Sequence, residues 1–200
     1  MPKIVDHAAQ RRRILNALWQ VVAVDGAAAV SVRSVAAQAG MSKSSLAHYF
    51  PSQGALIAAA IEQAMDGTQK QVDRLDLDSP DLETMVKACS LAVPDTPARR
   101  RQAEVWLFLA GQVGDRDLRR TLRHLNARVN ANLRFGLEAM SRNGLLGEGR
   151  DVEVEARRLH ALIDGLSLQV VTDPRRTTNA FVHGAIAQHL GDLASPARPL

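Results

Sequence analysis

Apolar residues recur three and four positions apart along nearly the whole chain, and no stretch alternates with the period of two that a half-buried strand requires. The pattern predicts an all-α fold of about nine helices. The first helix is expected from about His7 to Asp25, with Ile14, Leu15, Leu18, Val21 and Val22 on one stripe and Arg11, Arg12 and Arg13 at its wet start; Gly26 ends it. Ser31 can cap a second helix whose inner face is Val32, Val35, Ala36 and Ala39 and which stops at Gly40. Ser42 can cap a third, with Leu46, Tyr49 and Phe50 turned inward. Pro51 ends that one, and Ser52 can cap a long fourth helix through Leu56, Ile57, Ile61 and Met65 toward Leu75.

The polar stretch DRLDLDSPD, Asp73 to Asp81, is the best internal boundary, with Ser79 and Pro80 opening the next helix. Further helices are expected near residues 81–92, 97–112, 116–143, 151–171 and 174–193. Their breaks are Pro94 and Pro97, Gly114 with Asp115, Gly144 through Gly149, and Asp173 with Pro174. The tail SPARPL should fray, and there is no repeat at a fixed period.

A chain of 200 residues with 46% apolar and 23% charged side chains can bury a core, which excludes disordered and fibrous classes. Cys89 is the only cysteine, so no intramolecular disulfide and no thiolate zinc cluster can form, as suits a reducing cytoplasm. No run approaches the roughly 20 apolar residues that cross a bilayer, and MPKIVDHAAQRRR lacks the apolar stretch of a signal peptide. A soluble, cytoplasmic protein without membrane contact is expected. The net charge is only +4, but its placement changes the picture. Residues 1–50 carry six Lys/Arg (Lys3, Arg11, Arg12, Arg13, Arg33 and Lys43) against Asp6 and Asp25, whereas the other 150 residues carry 19 of each sign. The whole excess sits with the two short helices, and a local basic face is what a polyanion requires.

Two helices of about seven residues, joined by a short turn containing glycine, are too short to stand alone and must lean on the first and fourth. This is the outline of a helix-turn-helix. Gly40 allows the tight turn, Ala36 and Ala39 allow close approach, and Leu46 fills the wedge between the helices. The outer face left on the second short helix is Lys43, Ser44, Ser45 and His48, with Ser42 at its N-terminus, and these side chains can reach base edges in a major groove. The plainer reading of the segment is a polar-faced helical hairpin. The serine cap, the Ala/Gly spacing, the basic first helix and the HYF end together favour double-stranded DNA as the partner.

The run S-V-R-S-V-A-x-x-A-G-M-S-x-x-x-L-x-H-Y-F-P-S, followed by a long helix opening with A-L, resembles the DNA-binding head of the TetR family of one-component bacterial repressors over about residues 10–60. The resemblance implies an all-α homodimer: a helix-turn-helix domain, residues 1–51, and a helical ligand-binding and dimerisation domain, residues 52–200. It implies release from a palindromic operator when a small-molecule effector binds. It also implies that Ser31, Arg33, His48 and Tyr49 touch phosphates and that Lys43, Ser44 and Ser45 read bases. Two positions depart from the family pattern: Ala47 where an aromatic residue is usual, and Gln53 where a lysine is usual. Losing that lysine removes a phosphate contact and shifts the expected burden to Arg11–Arg13 and Arg33. Farther along, Trp106-Leu-Phe-Leu-Ala, then Asp117-Leu, then A-L-I-D-G-L-S-L from Ala161 to Leu168 are similar to the choline/betaine-responsive branch of the family.

The remaining chemistry is sparse. His160 and Asp164 share a helix face, but no third ligand stands at a supporting spacing, so no metal and no cofactor is expected. Cys89 lies on a stripe with Met85 and Val86 and reads as a small buried hydrophobe. No nucleophile arrangement, phosphate-cradling loop or carboxylate pair supports catalysis. Trp106 and Phe108 are core or pocket residues, and with Asp164 they are the candidates to meet an effector, a cationic one suiting aromatic faces and a carboxylate. The run LHALIDGLSLQVV, Leu159 to Val171, is apolar nearly all round. It is expected to pack in a four-helix seam between two subunits through Leu162, Ile163 and Leu166, with Phe181, Val182, Ile186 and Leu190 of the last helix, the alternative being a central helix of a monomer. The reading is a homodimeric, effector-responsive repressor. The alternative is a helical small-molecule-binding or interaction protein whose head does not act on DNA.

Overall fold

A computed structural model describes residues 6–111 and 116–196. Lys3, the expected break at Gly114 and Asp115, the last four residues of the tail, and the side chains of Asp117 and Leu118 lie outside the described residues. Nine α-helices and one 3-10 turn, and no strand, are found among the described residues. They are α1 (His7–Asp25), the 3-10 turn Ala27–Ala29, α2 (Val32–Gln38), α3 (Lys43–Ala47), α4 (Gln53–Val72), α5 (Leu82–Ser90), α6 (Pro97–Gly111), α7 (Arg116–Arg142), α8 (Val152–Thr172) and α9 (Asn179–Leu193).

Short polar side chains set most of these boundaries by accepting the amides that a helix start leaves unpaired. Asp6 caps α1 through Ala8 N at 2.9 Å and Ala9 N at 3.0 Å, and those amide bonds hold its carboxyl below the ordinary aspartate range. Ser31 and Ser34 form a reciprocal capping box on α2, Ser42 Oγ accepts Ser45 N on α3, and Ser52 Oγ accepts Ala55 N on α4. Pro97 opens α6 at the expected position, where its missing N–H costs nothing. Two other expected boundaries are corrected. Asp81, not Ser79, caps α5, accepting Thr84 N at 2.7 Å. The last helix starts at Asn179 rather than near residue 174, because Thr177 N closes a turn on Asp173 O and Thr178 supplies the cap.

The chain divides into two compact units, one reaching to Met65 and taking in Glu104–Leu122, the other holding Asp66–Ala103 and the chain from Arg123 onward. In the first, α2 packs on α1 and α3 on α2, and Ile14, Leu18, Val35, Leu46, Phe50, Leu56 and Ile57 are fully buried. In the second, α5 packs on α9 around Met85, Val86, Cys89, Leu137, Met140, Leu159 and Ile186. The loop after α7 is fastened to the end of α9. Gly147 N donates to Leu193 O, and a Cβ at Gly147 would run into the Ser195 carbonyl. Arg150 donates to Asp192 O at 2.8 Å and Ser195 O at 3.2 Å while pairing with buried Glu155 at 3.0 Å.

Candidate nucleic-acid interface

The turn between α2 and α3 is built by one residue in a left-handed conformation. Gly40 has φ +64°, its N–H donates to Ala37 O, and Met41 N donates to Ala36 O, so the last carbonyls of α2 are closed by a Schellman turn. A side chain at that φ would be strained. Ser42 then restarts the helix, its Oγ bonded to the hydroxyls of Ser44 at 3.0 Å and Ser45 at 2.9 Å.

α3 is five residues long, shorter than the expected seven. Tyr49 N and Phe50 N both donate to Leu46 O, which turns the chain out of helix at His48 ahead of Pro51. Leu46 is the one buried residue of α3. Ser42, Lys43, Ser44, Ser45, Ala47 and His48 are all exposed, and Tyr49 is half-buried. The face that sequence reasoning assigned to base edges is therefore presented as one continuous polar surface. Arg33 is exposed on α2, and Ser31 is half-buried in its capping box, its hydroxyl accepting Ser34 N at 3.0 Å.

The arginines of α1 do something the sequence did not reveal. Arg11 Nη1 donates to Tyr49 O at 2.8 Å with its guanidinium 4.3 Å above the Phe50 ring, and Arg13 Nη2 donates to Ala39 O at 2.9 Å. Both residues are exposed, and each commits one guanidinium N–H to a carbonyl of the chain itself. Arg12, between them, lines a groove of about 440 Å3 with Asn16, Gln20 and Gln38, the last two joined by a 2.8 Å bond. Gln53 also turns inward, donating to Val30 O at 2.8 Å and bracing the approach to α2. The only signal available beforehand was three consecutive basic residues on a helix, which at about 100° per residue cannot all face one ligand.

The other expected site residues fall in separate places. Trp106 and Phe108 are half-buried on α6, within the first unit. Asp164 is half-buried on α8, within the second; burial raises its carboxyl, and His160, 3.6 Å away, opposes that rise. Among the described residues no group of three or more His, Cys, Asp or Glu is placed to hold a metal ion. Cys89 is buried, and desolvation pushes its thiol up to about 12. Of the positions expected at a subunit seam, Ile163, Leu166, Val182, Ile186 and Leu190 are buried in the core of the second unit, with Met85, Val86 and Met140. Leu162 is half-buried and Phe181 is 52% exposed. The apolar surface that remains on these helices is Val154 and Leu168 on α8 and Phe181 on α9, interleaved with Ala161, Gly165 and Gly184. A Cβ at Gly165 or Gly184 would meet nothing within 4 Å. No described helix is long and apolar enough to cross a membrane.

Residues 14–60 match the family described as bacterial regulatory proteins, tetR family, and residues 81–195 match the BetI-type transcriptional repressor C-terminal domain. The chain is 30% identical over 197 residues to the HTH-type transcriptional regulator PksA of Bacillus subtilis, covering 96% of this chain and 94% of that protein. It is 29% identical to the regulator BetI of Stenotrophomonas maltophilia, over 84% of this chain and 85% of the relative. Among solved structures, a transcriptional regulator from a Rhodococcus species superposes with a TM-score of 0.77 at 23% identity, covering 94% of this chain and 99% of that one. A regulator from Saccharomonospora viridis, solved in complex with choline, superposes with a TM-score of 0.71 at 25% identity, covering 92% and 95%.

Proposed function

Because this chain belongs to the TetR family of transcriptional regulators, we propose that it is a homodimeric repressor that binds a palindromic operator and leaves it when a small-molecule effector binds. The observation that carries the reading is the wholly exposed polar face of α3, Ser42 to Ser45 with His48, held on a frame in which Leu46 and Phe50 are buried. Lys43, Ser44 and Ser45 are assigned to base edges and Ser31, Arg33, His48 and Tyr49 to the phosphate backbone. We take residues 1–51 as the DNA-binding domain and 52–200 as the effector-binding and dimerisation domain.

Two copies of α3 about 34 Å apart would enter successive major grooves, which is how so short an element gains useful specificity. The seam that sets that spacing is placed on the face of α8 and α9 that carries Leu162, Leu168, Phe181, Gly165 and Gly184. An effector that binds more tightly to a dimer with a different spacing shifts the population away from the operator-bound form. Trp106 and Phe108, both on α6, offer aromatic faces that suit a cation, so small organic cations are the first effector class to screen. The choline complex of the Saccharomonospora relative supports that choice.

The test is retardation of the gene's own upstream duplex by purified protein at two salt concentrations, with unrelated duplex as competitor. A band that resists competitor supports the reading. No retardation of that duplex or of any random-sequence duplex at low salt would instead favour a helical effector-binding protein with a silent head.

A further inference from the structure

We propose that Arg11 and Arg13 are positioning residues for the reading helix: they hold α2 and α3 in register through the chain's own carbonyls and do not contact DNA. The proposal rests on the DNA-binding reading above and changes which side chains carry it. Helix geometry leaves the last carbonyls of every helix without an intrahelical donor, and helices as short as α2 and α3 have little stability of their own. α1 supplies a donor at the end of α2 and another just past the end of α3. Arg13 reaches the C-cap carbonyl of α2 at Ala39, and Arg11 reaches the carbonyl of Tyr49, two residues beyond α3. A cation at the negative end of a helix is favourable in itself. Arg11 is tied a second time by its stacking on Phe50, whose side chain is buried in the same unit. One 19-residue helix thus fixes the far ends of both short ones. Tyr49, assigned above to a phosphate, is carried on the peptide that Arg11 holds, and its ring lies 5.4 Å from that of His7, also on α1.

Charge and fork geometry separate a clamp from a phosphate contact. A lysine keeps the charge and can still meet a phosphate, but it lacks the planar fork that bonds a carbonyl while stacking on a ring. The experiment measures operator affinity of the full-length protein over a salt series for Arg11→Lys, Arg13→Lys, Arg11→Gln and Arg13→Gln, with Lys43→Ala as the DNA-contacting comparison. For each arginine the Lys and Gln variants should weaken binding alike, by about tenfold, with the salt dependence of the native protein. If lysine restores native affinity, and glutamine flattens the slope of log affinity against log salt by about 1.8 (about 0.9 per phosphate in each subunit), the arginines are phosphate contacts and the proposal is wrong.

Hydrogen exchange of the DNA-free protein provides a second readout. The amides of residues 36–50 should exchange faster in the Lys variants while those of α8 do not change. Unaltered exchange at residues 36–50 in the Lys variants overturns the proposal even if the native protein binds no duplex; failure of the native protein to bind any duplex, with faster exchange in the Lys variants, overturns the DNA-binding reading and leaves the clamp standing. Should Arg13→Lys fail to fold, Arg11→Lys, whose bond is at the exposed surface, carries the same test.

Discussion

Replacing Leu46 by alanine isolates the one side chain that fastens α3. Leu46 is 0% exposed and is the only buried residue of the five in that helix. Truncating a fully buried leucine costs about 3 kcal/mol or more, from the lost transfer energy and the cavity left behind. A helix this short has essentially no stability of its own, so the loss falls on the docking of α3 rather than on the fold at large. At about 1.4 kcal/mol per decade, 3 kcal/mol shifts the docked-to-undocked ratio by roughly 150-fold. In a dimer both heads must be docked at once, so for a native docked-to-undocked ratio of about 50 each head falls to about one-quarter docked and operator affinity falls by roughly sixteenfold. Leu46→Met keeps the volume and should stay within about 1.5 kcal/mol of native stability, with near-native binding. The assay is fluorescence anisotropy with operator duplex, alongside hydrogen exchange to show that faster opening is confined to residues near 42–50. Native operator affinity in Leu46→Ala, with native protection across α3, would refute the reasoning, because α3 would then be neither held by Leu46 nor the reading element.

Three further outcomes are expected. Gly184→Arg introduces a side chain where nothing lies within 4 Å in the protomer, so light scattering should show one copy per particle with native circular dichroism; an intact dimer would remove the seam from this face of α8 and α9. Burial holds His189 below the ordinary histidine value, opposed by Glu155 and Asp192 and reinforced by Arg158 and Arg150. The unfolded chain therefore takes up the proton first, so stability should be fullest above about pH 6.5 and decline as pH falls below it. His189→Gln should flatten that decline in chemical denaturation, and an unchanged pH profile would assign it to other groups. Gln53→Lys gives up the bond to Val30 O, at a cost of about 1 kcal/mol, and places a cation at the start of α4. If residue 53 faces the backbone of bound DNA, the salt slope should steepen by about 0.9 per subunit; an unaltered slope would show that it does not.

Helix existence and the buried faces of the head were legible because they follow from spacing. Ile14, Leu18, Val35, Leu46 and Phe50 were read inward from intervals of three and four, and all are buried. Serine caps at positions 31, 42 and 52 were legible for a similar reason, since each accepts the amide three residues on. What spacing could not show was where long side chains end up. Nothing local distinguishes an arginine that reaches a carbonyl 26 residues away, as Arg13 does, from one that reaches solvent. The same limit applies to α8. A helix that is apolar nearly all round reads as needing a partner on every side, but the sequence does not say which sides its own chain covers. The packing of α5 on α9, which encloses Ile163 and Ile186 in one core, is long-range information.

Because only Leu46 of α3 is committed to the interior, Lys43, Ser44, Ser45 and Ala47 can be exchanged at little cost to folding; surface substitutions of this kind usually fall within about 0.5 kcal/mol. On the reading that α3 contacts the operator, operator preference is thereby uncoupled from stability. A lineage could then drift to a new target sequence by changing four side chains of one short helix while the rest of the chain stays the same. An engineer could use the same freedom, randomising those positions as a small library and selecting new operators without first having to restore the fold.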